Sequence, residues 1–165
     1  MTAKEKRGFS LVELVIVIVI LGVIAAIAVP RISRGAKGAD ESAVRQNLAI
    51  LRSAIEMYAA EHAGDFPGDT EADFTDKLLK YSKKDGSTHT STTGGFIYGP
   101  YLRKQIPALP VGDKAGLNAV KVGNSGPVVD SEGDYGWIYN YTTGEIIANC
   151  DDNTESDPNT TYDQW

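Results

Sequence analysis

The sequence predicts an α+β chain in which a long N-terminal helix packs on a small antiparallel β-sheet. Three observations predict it: an apolar run from Phe9 to Val29, helical periodicity from Val44 to His62, and alternating apolar segments between Asn118 and Asn149. The 165 residues suit one domain plus an extension. The boundaries expected are 1–8, 9–29, 30–64, 65–150 and 151–165.

The apolar run spans 21 residues with one charge, Glu13. As a helix it is about 31 Å long, which matches a hydrocarbon core of about 30 Å. Three readings compete for it. A secretory signal is supported by the small-x-small site Ala26-Ile27-Ala28. Against it stand a run longer than the usual core of about 7–15 residues, the internal acid, and Pro30 just behind the site. A plain single-pass anchor is the second. Its orientation is undecided, because Lys4, Lys6 and Arg7 precede the run and Arg31, Arg34 and Lys37 follow it.

The third reading comes from the residues "GFSLVEL" behind a short basic leader, continued by "VILGVIAAIAVP". Over Lys6–Pro30 this segment resembles the type IV pilin and type II secretion pseudopilin family. The resemblance implies a pilin-like fold, cleavage by a prepilin peptidase between Gly8 and Phe9, and N-methylation of Phe9 as the new first residue. It also implies a single-pass inner-membrane subunit with a periplasmic domain. An assembly platform and minor pseudopilins would draw that subunit into a helical homo-oligomer.

Glu13 fits that scheme electrostatically. A carboxylate at 4 Å from an amine gains about 4 kcal/mol at an effective dielectric of about 20. Alone at a helix centre it costs roughly 2.5–3.5 kcal/mol, and less near the interface. The alternative is a capping box, with Ser10 as N-cap and Glu13 reaching back to the Ser10 amide.

Pro30 lacks an amide hydrogen and is expected to kink the helix; Gly22, Gly35 and Gly38 weaken it further. The helix then resumes. Val44, Leu48, Leu51, Ile55, Tyr58 and His62 share one face, with Ala54 and Met57 expected to widen it. His62 reads as a core-edge residue. Gly64 and Pro67 stop the helix. Thr70 and Asp73 start a short helix carrying Phe74, Leu78 and Tyr81, and Lys80, Lys83 and Lys84 sit near its end. "SKKDGSTHTSTTGG" is a polar loop, and Pro100, Pro107 and Pro110 break the extended stretch after it.

"NAVKV", "PVV" and "GWIYNYTTGEIIAN" read as strands, the last a hairpin with Trp137, Tyr139 and Tyr141 on one face. The tail from Asp151 to Trp165 has five acids and no base, and is expected to be disordered. "LRSAIEMYAAEHAGDFPG" and "GPYLRKQIPALPVG" resemble the major pseudopilins of type II secretion. No tryptophan interrupts Pro107–Gly112, and those proteins' calcium-loop pattern is missing.

The net charge is −6, and the first eight residues contribute +2, which leaves −8 for the remainder. That acidity argues against a nucleic-acid partner. Cys150 is the only cysteine, so no internal disulfide forms. Asp130-Ser131-Glu132-Gly133-Asp134 resembles the opening of a calcium loop, but Tyr135 and Tyr141 stand where glycine and the closing glutamate belong. It reads as a turn, with calcium as the minor alternative and no other cofactor. No phosphate loop, nucleophile elbow or paired-acid cleft appears, so no enzyme is expected. A structural secretion-filament subunit is the leading reading. A type IV pilus subunit for adhesion, motility or DNA uptake is its alternative, followed by a membrane-anchored periplasmic binding domain.

Overall fold

The computed structural model describes residues 10–154 and 156–165. The chain divides into two units, one ending at Gly38 and one starting at Ala39. Helix α1 (Leu11–Glu61) supplies the described secondary structure of the first unit and the opening helix of the second.

In the first unit, Leu11–Ala28 is long and apolar enough to cross a membrane, and none of that span is buried within the chain. Every large aliphatic side chain from Leu11 to Ile27 is exposed. Such a helix, apolar on all sides, must find burial outside its own chain. The helix continues through Pro30, whose missing amide leaves the Ala26 carbonyl without its usual donor.

The second unit is built on the predicted stripe. Val44, Leu48, Leu51, Ala54, Ile55, Tyr58 and His62 are all buried. Met57 does not widen the stripe as expected. It sits one residue before Tyr58, about 100° round the helix, and is 46% exposed. Helix α1 stops where Ala63 takes φ +62° and the Gly64 amide closes on the Ala59 carbonyl at 2.8 Å. Helix α2 (Glu71–Leu79) starts as predicted, with the Thr70 hydroxyl accepting from the Asp73 amide, and buries Phe74 and Leu78. Strands β1 (Tyr81–Ser82) and β2 (Thr88–His89) form a small antiparallel pair. Tyr81, expected on the face of α2, belongs to β1 instead.

The main sheet has strand order β3 (Val120–Gly123), β4 (Trp137–Asn140), β5 (Ile146–Ala148). The α+β class is as expected, and β4 and β5 form the predicted antiparallel hairpin, pairing Trp137 with Ala148 and Tyr139 with Ile146. Its turn is held by the Asn140 side chain, which accepts from the Thr142 amide and hydroxyl, and by Gly144 at φ +75°. A Cβ at Gly144 would collide with the Phe66 ring. Strand β3, however, lies parallel to β4. A parallel pair needs a crossover of about a dozen residues, and 124–136 provides it. "PVV" is therefore no strand. Pro127 and Val128 line a hollow beside Ile138, so the crossover helps to cover the second face of β4.

Trp137, Tyr139 and Ile146 pack into one core with Leu48, Leu51, Ile55, Phe74 and Leu109. The Trp137 Nε1–H donates to the Pro107 carbonyl at 2.7 Å. The Tyr139 ring lies 4.4 Å from Phe74, and its buried hydroxyl has no partner among the described residues. Burial pushes that hydroxyl's pKa well above the usual tyrosine range, with the neighbouring Tyr58 adding to the shift. An unsatisfied buried hydroxyl costs about 1–3 kcal/mol. Tyr139→Phe is therefore expected to raise the unfolding free energy by about 1 kcal/mol, checked by thermal unfolding of the full chain in detergent.

The tail corrects the sequence reading, because it is ordered against the domain. Asn153 pairs with Thr161, the Thr154 amide donates to the Thr160 carbonyl at 2.8 Å, and Thr154 and Tyr162 are buried. Composition counts the tail's acids, whereas Tyr162 and the α1 side chains that grip it decide the outcome. The amphipathic stretch from Ala39 onward, the 65–150 region and the tail, separated in the sequence reading, fall in this one unit, while residues 30–38 of that stretch belong to the first.

Candidate assembly and processing site

Gly8 and Phe9, the expected cleavage site and modified terminus, lie outside the described residues. Glu13 and Pro30 lie in the first unit. Ser10 precedes the first turn of α1, and the Ser10 amide donates to Glu13 Oε2 at 2.8 Å. The Ser10 carbonyl accepts from the Leu14 amide at 3.2 Å. This is the reciprocal half of a capping box, in which the acid three residues into the helix satisfies an amide at its start. Its negative charge also suits the positive end of the helix dipole. A carboxylate accepts about four hydrogen bonds, so the cap leaves capacity for a cation. The spacing Ser10–Glu13 thus sets an acid at the helix tip, next to an apolar shaft, already oriented toward the chain's N-terminal side.

The second candidate, the acidic turn at Asp130, is organised by its own chain. Asp130 Oδ1 accepts from the Glu132 and Gly133 amides at 3.0 and 3.1 Å, and Oδ2 accepts from Lys121 Nζ at 2.8 Å. Lys114 Nζ donates to the Ser131 and Gly133 carbonyls at 3.2 and 2.6 Å. Asn149 bonds the Asp130 amide, the Asp130 carbonyl and the Tyr135 carbonyl. An ammonium therefore occupies carbonyl oxygens that a hard cation would use. Among the described residues, no group of three or more His, Cys, Asp or Glu side chains could hold a metal ion. Lys114 and Asn149 lie more than a dozen residues from the turn they brace, and no local signal in the sequence marks either.

Lys121 above all, then the Gly133 and Glu132 amides, lowers the Asp130 carboxyl to about 2. Its pKa is lower folded than unfolded, near 4. Its contribution is therefore complete above about pH 4 and is lost as pH falls to about 2. We expect the turn's Gly133 amide to lose hydrogen-exchange protection across that window. In Lys121→Met the loss should begin at higher pH.

His62 and Cys150 are structural. The His62 ring stacks on Tyr58 at 3.8 Å, and its nitrogens lie 2.8 Å from the Tyr58 carbonyl and 2.9 Å from the Lys83 carbonyl. Cys150 is buried, and that burial pushes its thiol up to about 11, away from the reactive thiolate, against the opposing pull of the Asp152 backbone amide.

Residues 3–29 match the family model described as "Prokaryotic N-terminal methylation motif". The match takes in Gly8, Phe9 and Glu13 and stops one residue short of Pro30. No curated protein matches the chain. No solved structure matches it.

Proposed function

We propose that this chain is a pilin-like structural subunit, processed by a prepilin peptidase and assembled into a helical filament of the type II secretion pseudopilus kind. The observation that carries the reading is the methylation motif at residues 3–29, set on a helix whose apolar surface is wholly exposed. In this scheme the peptidase cuts after Gly8 and methylates Phe9. The Phe9–Val29 segment holds the subunit in the inner membrane with its domain in the periplasm, and Pro30 is the point of flexure. The assembly platform, with minor pseudopilins, then transfers the apolar segment from lipid to the filament core. The protein works as a scaffold; it catalyses no reaction and needs no cofactor for this.

Glu13 serves two stages. In the membrane its charge is partly satisfied by the Ser10 amide, which lowers the cost of holding an acid there. In the filament the amine that cleavage creates at Phe9, on a neighbouring subunit, becomes its stronger partner. The stretches Leu51–Gly68 and Gly99–Gly112, which resemble major pseudopilins, favour a secretion pseudopilus over a surface pilus. Mass spectrometry of the mature N-terminus tests the reading. The expected species begins at Phe9 and carries one added methyl group. A native chain that begins at Met1 or Val29 would refute it in favour of an anchored or secreted binding domain.

A further inference from the structure

We propose that residues 151–165 form a releasable strap that guards the outer edge of β5. Once freed, that edge accepts the strap of a second copy of this chain. This inference is independent of the filament reading.

Strand β5 ends the order β3-β4-β5. The Asn140 amide donates to the Glu145 carbonyl and the Asn149 amide to the Gly136 carbonyl, so alternate residues of this strand face β4. The backbone groups of Ile146 and Ala148 therefore point away from the sheet. A bare edge of this kind templates strand addition. Here it is covered. Arg52 on α1 donates to the Ile146 carbonyl at 3.2 Å and, from the same nitrogen, to the Trp165 carbonyl. The turn Tyr162–Gln164 packs against β5, and Tyr162 enters the core.

A second clamp lies further back along α1. Glu41 is buried, pairs with Arg45 at 2.9 Å, and accepts from the Ser156 amide at 3.1 Å and from the Ser156 hydroxyl. The Arg45 guanidinium lies 4.2 Å from the centre of the Trp165 ring. The grip on the strap is thus two side-chain clusters and one aromatic plug. Among the described residues the strap makes no ladder with β5. Its own pairing is internal, Asn153 with Thr161, so it can leave as a preformed piece. Its anchors on α1 are Glu41 and Arg45, which bond Ser156, and Arg52, which bonds the Trp165 carbonyl. A second copy's strap brings the same complementarity to an emptied edge, which identifies the occupant.

Hydrogen exchange and sedimentation of the full chain in one detergent test this, comparing the parent with Glu41→Ala/Arg52→Ala. Losing the clamps should speed exchange of the Ile146 and Ala148 amides by about tenfold while Phe74–Leu79 stays protected. It should also raise the dimer fraction above the parent's. Arg52→Lys, and the parent at high salt, give the same readout if the double variant does not fold. Unchanged exchange at β5 would overturn the proposal. So would equal loosening of Phe74–Leu79, which makes the strap part of the global fold, or a dimer fraction equal to the parent's.

Discussion

Glu13→Gln is expected to leave the chain inserted and cut at Gly8 but to stop filament assembly. Glutamine keeps the cap, because its side-chain oxygen still accepts from the Ser10 amide seen at 2.8 Å from Glu13. It has no charge for the amine that the proposed cleavage would leave at Phe9. The lost attraction is about 4 kcal/mol per pair at 4 Å and an effective dielectric of about 20, nearly a thousandfold at each subunit contact. A filament repeats that loss at every subunit, so the yield of sheared filaments should fall below detection while subunit in the membrane accumulates. Glu13→Leu removes the cap as well. It should insert at least as well as the parent, since an acid leaves the apolar span, and it should also fail to assemble. If the Gln variant polymerised normally, Glu13 would be a helix cap and nothing more.

Trp137→Ala should cost the unit that starts at Ala39 about 3–5 kcal/mol. Trp137 is fully buried among α1 and sheet residues, and its loss also leaves the Pro107 carbonyl without its donor. Domains of this size hold only about 5–15 kcal/mol in all. The unfolding midpoint should therefore drop by roughly 10–20 °C, read by near-ultraviolet circular dichroism of the full chain in detergent. Trp137→Phe keeps an aromatic ring but not the donor, and should fall between Ala and the parent. Equal midpoints for all three would show that the core around β4 closes without this side chain.

The sequence exposes those features whose cause is local. The apolar run, the Ser10–Glu13 spacing, the stripe from Val44 to His62, the Thr70 cap and the Trp137–Ala148 hairpin all depend on residues within a turn, a helix face or a hairpin of one another. Each appears in the structure where its pattern places it. Met57 shows the limit of that reading, because a face widened by one residue too many reaches solvent. Gly8 and Phe9 are legible as a motif, and the motif match covers them, but they lie outside the described residues.

Other features depend on partners far along the chain, and there the sequence is mute. Ser156 is anchored by Glu41 across 115 positions, and the Ile146 carbonyl is held by Arg52 across 94. Lys114 and Asn149 brace the Asp130 turn from positions 14 to 19 residues away, by hydrogen bonds that no spacing rule foretells. The parallel placement of β3 follows from a crossover that reads as a strand until the fold lays it beside Ile138. Periodicity and local chemistry act over a few residues and survive in the bare sequence. Long-range pairing is set by which surfaces meet once the chain has collapsed, and only the folded molecule records that choice.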